Sequence, residues 1–326
     1  MIRWGILGAG GIASTVGADV AASPDSEIVA VGARELDRAR AFADVRNIPR
    51  AYGSYTELVA DPDVDVVYIA TTHAQHHEHA LLAIEAGKPV LVEKAFTLNA
   101  RQAREVVAAA RARGVFCMEA MWTRFNPLIR EALSLAAEGR IGAVLAVRAD
   151  LSKLFPYDPA HRLYDLRAGG GAVLDLGVYP VTLATMFLGR PAEIQAMGTL
   201  AATGADVTVL QQWRYADGRL AQLYCSAAGP SPFGVLVTGT DGWLSLEPRL
   251  HRPQRLVVLT PEGRNELPAP AAVGNGYGFQ VAEVERCLAS GRTESDLVPL
   301  DDTIMIMEIL DEVRRQLGVR YPADEE

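Results

Sequence analysis

The stretch Ile2-Arg3-Trp4-Gly5-Ile6-Leu7, running straight into Gly8-Ala9-Gly10-Gly11-Ile12-Ala13, constrains this chain more than any other. Its first six residues read as a short, mostly apolar strand, and a helical pattern continues past the glycines to about Ala22. Strand, Gly-x-Gly-x-x-Ala and helix in that order set a pyrophosphate against a helix start. Gly8 permits the tight turn, Gly10 lets the backbone approach the anion, and Ala13 is small enough for the helix to rest on the sheet. The amides around Gly11 and Ile12 then face the phosphate oxygens. Glycine turns between strand and helix are common, so the order of the three elements carries the reading rather than the glycines alone.

A second strand, Glu27 to Gly32, ends on Ala33-Arg34-Glu35, where dinucleotide folds choose between two coenzymes. Arg34 offers a planar cation for a 2′-phosphate, which favours NADP(H). Glu35, one residue further, would suit the ribose hydroxyl of NAD(H), so NAD stays open. The next strand, Val64 to Ala70, opens on Thr71-Thr72-His73 and a helix from about His76 to Ala86, stopped by Gly87. His73, His76, His77 and His79 crowd this start. No acid or cysteine joins them in a zinc spacing, so they read as the lining of a coenzyme loop and no metal is expected.

The apolar run Lys88-Pro89-Val90-Leu91-Val92 stops on Glu93-Lys94, which places both at the carboxyl end of a buried parallel strand, where ligands gather in open α/β sheets. The plainer alternative is a pair of solvated strand-end charges. A helix from Ala100 to Arg113, Gly114 as its stop, and a strand from Val115 to Glu119 complete a doubly wound parallel sheet over residues 1–120.

Residues 121–326 read as a second, α+β domain with an open, mostly antiparallel sheet. A helix over 127–138 leads to a strand, Ala143 to Leu151, and a long aromatic and charged loop, Lys153 to Arg167. Gly169-Gly170-Gly171 then opens a buried helix, Ala172 to Leu188, with Asp175 and Tyr179 four apart on one face. They either satisfy each other and nearby backbone or serve a ligand. Strands over 193–200, 207–215, 220–227, 235–240, 243–247 and 255–260, with turns at Asp217-Gly218, Asp241-Gly242 and Glu262-Gly263, predict an antiparallel meander. With Trp213, Leu220, Leu223, Val237 and Trp243 available, pairing with a second subunit would cover its open face and make a homodimer. Helices over 278–290 and 303–317 follow, and Tyr277 and Phe279 either reach a ligand or pack.

Composition excludes other classes. A length of 326 residues suits about two domains, and a net charge of -9 with no basic block gives nucleic acid and anionic membranes nothing to bind. Cys117, Cys225 and Cys287 are odd in number and scattered, as reduced thiols in a cytoplasm are. The chain starts on a strand without a signal peptide, and no apolar run reads as long enough to span a membrane.

With these residues named, the chain resembles the glucose-fructose oxidoreductase, inositol dehydrogenase and rhizopine-catabolism (Gfo/Idh/MocA) family over essentially its whole length, through Gly8-Ala9-Gly10, Glu93-Lys94 and Gly169 to Tyr179. Within it, Glu119-Ala120-Met121-Trp122-Thr123-Arg124-Phe125 and the tyrosine at 179 are most similar to the dimeric dihydrodiol dehydrogenases and NADP-dependent xylose dehydrogenases. Ala95 departs from the proline usual there. The resemblance implies that Lys94 and Tyr179 are catalytic, that Asp175 orients substrate, and that Trp122 and Arg124 sit near the nicotinamide. The expected reaction is NADP-dependent hydride transfer at a CH–OH or C=O group of a sugar, polyol or cyclic trans-diol. A lysine ammonium favours phenolate by roughly one to three pKa units, so Lys94 would make Tyr179 a usable acid or base. Two rivals stand beside this: a glycosidase that cycles a tightly held NAD, and a regulator that binds NADP without chemistry.

Overall fold

The computed structural model describes residues 1–232, 234–270 and 274–325. Packing divides the chain into two units, Met1–Trp122 with Ala272–Ile304, and Thr123–Ala271 with Met305–Glu326.

In the first unit, short runs of Val, Ile and Leu form strands buried on both faces, which is what helices on either side of a parallel sheet require. The strands are β1 (Ile2–Leu7), β2 (Ser26–Gly32), β3 (Arg50–Tyr52), β4 (Val66–Ile69), β5 (Val90–Val92) and β6 (Cys117–Glu119), all parallel. Between them run α1 (Gly11–Ala21), α2 (Leu36–Arg46), α3 (Tyr55–Ala60), α4 (His73–Glu85) and α5 (Ala100–Arg113). The sheet order β3-β2-β1-β4-β5-β6 puts the reversal of direction between β1 and β4, whose carboxyl ends are Leu7 and Ile69. Local signals account for several boundaries. The Asn99 side chain accepts from the amide of Gln102 at 3.0 Å to open α5, and Gly114 closes it with φ 63°. Sequence periodicity missed α2, β3 and α3, which are short or weakly amphipathic.

The sequence places all residues after 120 in the second domain, whereas 274–304 pack with the first unit. Side chains of α1 and β2 hold them. Asp19, only 4% exposed within α1, accepts from the amides of Asn275, Tyr277 and Gly278 at 2.8–3.1 Å, and so caps a helix over 278–289 from outside. Ser23 and Ser26 both donate to Glu285 of that helix, and Arg111 pairs with Glu294 at 2.8 Å.

A 3₁₀ turn, Trp122–Phe125, begins at the last residue of the first segment and leads in the second unit to α6 (Pro127–Ala137) and β7 (Val144–Ser152). After the loop, a π-helical turn (Val173–Gly177) continues directly into α7 (Val178–Leu188). The strands β8 (Glu193–Leu200), β9 (Asp206–Arg214), β10 (Leu220–Ser226), β11 (Val235–Gly239), β12 (Trp243–Glu247), β13 (Arg255–Thr260) and β14 (Gly263–Pro268) follow. The sheet order β14-β13-β12-β11-β7-β10-β9-β8 corrects the expected single meander. β7 lies between β10, to which it is parallel, and β11, so two antiparallel wings flank one central strand. Val147, Ala149 and Leu151 of β7 are buried, as a strand paired on both edges under helices requires.

Burial also corrects the face expected to be open. Trp213, Leu223 and Val237 are at most 1% exposed, facing the side covered by α6, the π turn and α7; period-2 alternation puts their neighbours outward. Met197 and Leu220 are exposed instead, on the face that carries a groove of about 660 Å³ lined by Arg148, Asp150, Gln222, Tyr224 and Arg255. One further expectation changes. The helical run Leu166–Leu188 is long and apolar enough, by length and composition alone, to cross a membrane, but 89% of its apolar window is buried within the protein, where a core helix belongs.

Candidate functional site

In the first unit, candidate site residues gather where β1, β4 and β5 end. Gly8 has φ 113°, and a Cβ there would lie 2.9 Å from the carbonyl oxygen of Ala70, so only glycine lets the ends of β1 and β4 approach this closely. Gly10 and Gly11 differ. A Cβ on either would meet no protein atom within 4 Å, and no side chain caps the start of α1. Packing therefore gives no reason for these two glycines, whereas a pyrophosphate seated on the uncapped amides from Gly10 to Ala13 does. Ala13 is fully buried against the sheet and Ile12 is half-buried. The residues present fit a dinucleotide.

Past β2, Ala33 is buried and Arg34 exposed, while Glu35 is the N-cap residue of α2. Burial raises the pKa of the Tyr55 hydroxyl, and the charges of Arg34 and Arg38 oppose that rise, so both cations lie within electrostatic reach of it. Tyr55 in turn packs edge-on against His79, centroids 4.5 Å apart. Arg38 was not read from the sequence. Its only signal was a spacing of four from Arg34 across a helix start.

The histidine cluster is tied to backbone and hydroxyl groups. His76 is fully buried, with Nδ1 2.9 Å from the carbonyl oxygen of Ala95 and Nε2 3.2 Å from that of Thr71. Burial brings its pKa down to about 4, so the neutral ring has one N–H for two carbonyls and donates to one of them. His79 Nδ1 lies 3.0 Å from Thr71 Oγ1, and burial likewise brings it to about 4. His73 packs edge-on against His76 at 5.7 Å, and Thr72 is the N-cap residue of α4. Among the described residues no three His, Cys, Asp or Glu side chains could hold a metal ion. His76 thus lies between the loop at Thr71 and the segment carrying Lys94, whose bond to Ala95 is cis, and is hydrogen-bonded to one of the two. Lys94 is half-buried one residue beyond Glu93, and the buried Glu93 carboxylate accepts from the Tyr68 hydroxyl at 2.5 Å. Trp122 stacks on Tyr277 with centroids 4.5 Å apart, a contact held from below by Asp19 through the Tyr277 amide.

In the second unit, a separate group of polar side chains lies on the π turn and α7. Asp175 and Tyr179 are 6% and 7% exposed, and the π turn makes this stretch other than the uniform α-helix expected. The Asp175 carboxylate accepts from both terminal nitrogens of Arg162 at 3.1–3.4 Å. Tyr179 packs against His251, centroids 5.5 Å apart. Arg124 is buried in the 3₁₀ turn that precedes α6. Arg162 and His251 carried no sequence signal beyond lying in connecting segments.

A buried carboxylate sets the start of the π turn. Asp206 accepts from the amide of Val173 at 2.6 Å, and a Cβ on Gly171, which has φ 123°, would sit 2.2 Å from Asp206 Oδ1. Burial pushes the Asp206 carboxyl up to about 6, against the pull of the Val173 amide and the Arg314 charge. Tyr321 donates to the carbonyl of Gly170 at 2.7 Å, under the Arg314 guanidinium 4.3 Å from its ring centre. Asp206 opens β9, a strand that also carries Thr208, Gln211, Gln212 and Arg214, so its letter alone does not mark the role.

A family model described as an oxidoreductase family with an NAD-binding Rossmann fold matches residues 2–121, and its C-terminal domain model matches residues 129–245. The chain belongs to the Gfo/Idh/MocA oxidoreductase family. As a Gfo/Idh/MocA member it is an NAD(P)-dependent dehydrogenase. It is similar to the trans-1,2-dihydrobenzene-1,2-diol dehydrogenase of Bos taurus, with 41% identity covering 99% of each chain, and to that of Homo sapiens, with 38% identity over the same shares. A 3-ketoreductase from Actinomadura kijaniata, solved with NADP and TDP-benzene, matches with TM-score 0.85 and 26% identity over 97% of each chain. An aldose-aldose oxidoreductase from Caulobacter crescentus shares the fold, with TM-score 0.88, 23% identity and 97% of each chain covered.

Proposed function

We propose that this protein is an NADP-dependent dehydrogenase acting on a CH–OH carbon of a cyclic trans-diol, polyol or sugar. The observation that carries the reading is the full-length likeness, 41% over 99% of both chains, to an enzyme named for a trans-diol. Support for NADP over NAD comes from Arg34 and Arg38, two exposed cations just beyond β2 that both lower the pKa of the Tyr55 hydroxyl, the chemistry a 2′-phosphate selects. Support for catalysis comes from two polar groups, Asp175 and Tyr179, almost buried on an apolar helix.

Gly8, Gly10, Gly11, Ile12 and Ala13 would hold the pyrophosphate, and the segments Thr71–His76 and Glu93–Lys94, with Trp122 and Arg124, the nicotinamide half. When bound, the coenzyme supplies the hydride acceptor or donor. In oxidation Tyr179 takes the proton of the reacting hydroxyl, Lys94 holds that oxygen, and Asp175 accepts from the neighbouring hydroxyl. In reduction the tyrosine returns the proton. The protein is a homodimer in this reading, with a second copy on the exposed sheet face around Met197 and Leu220, and it works in a reducing cytoplasm, which suits three buried free thiols. The two structural domains correspond to coenzyme and substrate binding.

The test is NADP-linked absorbance across cyclic trans-diols, aldopentoses, aldohexoses and inositols, run in parallel with NAD, on protein whose mass in solution is measured by light scattering. One NADPH formed per substrate oxidised is the expected result. Redox-neutral cleavage of a glycoside, or NADP binding with no turnover on any substrate class, would replace this reading by another.

A further inference from the structure

Arg162 stands in the long loop between β7 and the π turn, thirteen residues before Asp175, and no expectation assigned it a task. Its side chain is 48% exposed, whereas that of Asp175 is 8% exposed, so a surface cation reaches inward to a buried acid. Both terminal nitrogens take part, to Oδ1 at 3.3 and 3.4 Å and to Oδ2 at 3.1 Å, so one planar group fixes both carboxylate oxygens. Within the π turn, the Asp175 amide meets the carbonyl of Gly171 only at 3.4 Å, and this loosened backbone gives the carboxylate little orientation of its own.

The loop that presents Arg162 is held just as closely. A Cβ on Gly170 would lie 2.7–2.8 Å from the carbonyl oxygens of Arg162, Leu163 and Asp165, so the loop backbone wraps the glycine turn. The amides of Gly171 and Gly170 donate to Leu163 and Asp165 at 2.7 and 3.0 Å, and Tyr164 donates to the carbonyl of Phe155 at 2.7 Å. The backbone that carries Arg162 is therefore hydrogen-bonded to the glycines just before the π turn, which places the guanidinium against Asp175 without a ligand. A carboxylate accepts from about four directions, and a donor fork on one side determines where the others point.

We infer that Arg162 is a positioning residue, whose guanidinium fork holds the Asp175 carboxylate in the orientation that receives the substrate hydroxyl next to the reacting carbon. The inference rests on the proposed role of Asp175. Its chemistry requires a fork and not merely a charge, because a lysine ammonium contacts one oxygen at a time.

The experiment compares Arg162→Ala, Arg162→Lys, Asp175→Asn and the double variant Arg162→Ala/Asp175→Asn on a trans-diol substrate, with NADPH binding followed by fluorescence. Arg162→Ala is expected to lower kcat/KM about 30-fold with NADPH affinity unchanged, and Arg162→Lys to recover less than about a third of that loss. Added guanidinium should restore Arg162→Ala and leave Asp175→Asn unaffected. In the Asp175→Asn background, removing Arg162 should cost no more than about twofold, since the pair acts as a unit. If Asp175→Asn works as well as wild type, the role of Asp175 is wrong and the inference goes with it. If Asp175→Asn is impaired while Arg162→Ala is normal, or the two losses multiply, Arg162 has no such role and the reading of Asp175 stands.

Discussion

Lowering the pH from 8 to 5 should stabilise this protein at one identifiable carboxyl group. Asp206 is 1% exposed, and burial lifts its pKa from 3.8 to about 6 because the charged form has lost its water. The native state therefore binds a proton more readily than the unfolded chain does. A carboxyl whose folded pKa is raised contributes stability as pH falls from above 6 toward 4, the reverse of an acid in a favourable ion pair. At 1.36 kcal/mol per pKa unit, ionisation of Asp206 at pH 8 costs about 3 kcal/mol relative to the fully protonated state, and about 1.4 kcal/mol of that is recovered by pH 5. The charged group facing it is Arg314, with the neutral Tyr321 hydroxyl nearby, and the Cys225 thiol is raised first by burial and then by the Asp206 charge. The assay is urea unfolding of wild type and Asp206→Asn at pH 8 and pH 5. The amide cannot titrate, so the wild type should gain about 1.4 kcal/mol on the variant between the two conditions, whatever the offset between them at pH 8. Parallel stability curves would refute the reasoning. A wild type that loses ground to the variant on acidification would mean that Arg314 keeps Asp206 ionised through this range.

Tyr179→Phe and Lys94→Ala should each cut turnover by about a hundredfold while leaving NADPH binding nearly intact, checked by steady-state rates beside a fluorescence titration. Arg34→Ala with Arg38→Ala should raise the KM for NADP by about tenfold or more and leave that for NAD nearly unchanged; equal effects on both would remove the 2′-phosphate assignment. The two glycine sites should separate folding from binding. Gly171→Ala, at φ 123° and facing Asp206, should destabilise by about 2 kcal/mol or more in thermal melts. Gly10→Ala meets no protein atom and should melt like wild type, yet raise the KM for NADPH by about an order of magnitude.

The sequence by itself determined the parallel sheet, the glycine turn at its switch point and the strand ending at Glu93-Lys94, because these are local. Period, turn chemistry and helix stops lie within a dozen residues of one another, and Asn99 and Gly114 begin and end α5 as their types require. It also marked Asp175 and Tyr179, since polar groups on an apolar helix are visible as letters. Tertiary structure decided what pairs with what. β7 enters between β10 and β11, and its alternation alone could not specify two partners from distant segments. The same register sends Trp213, Leu223 and Val237 into the core, although their letters suit an interface equally well. Arg162 reaches Asp175, Asp206 seats Gly171, and Asp19 captures residues 275–278 across more than 250 positions of chain. A charged side chain carries no mark of its partner until the backbone has brought the two within hydrogen-bond reach, and that distance is set by packing summed over the whole unit.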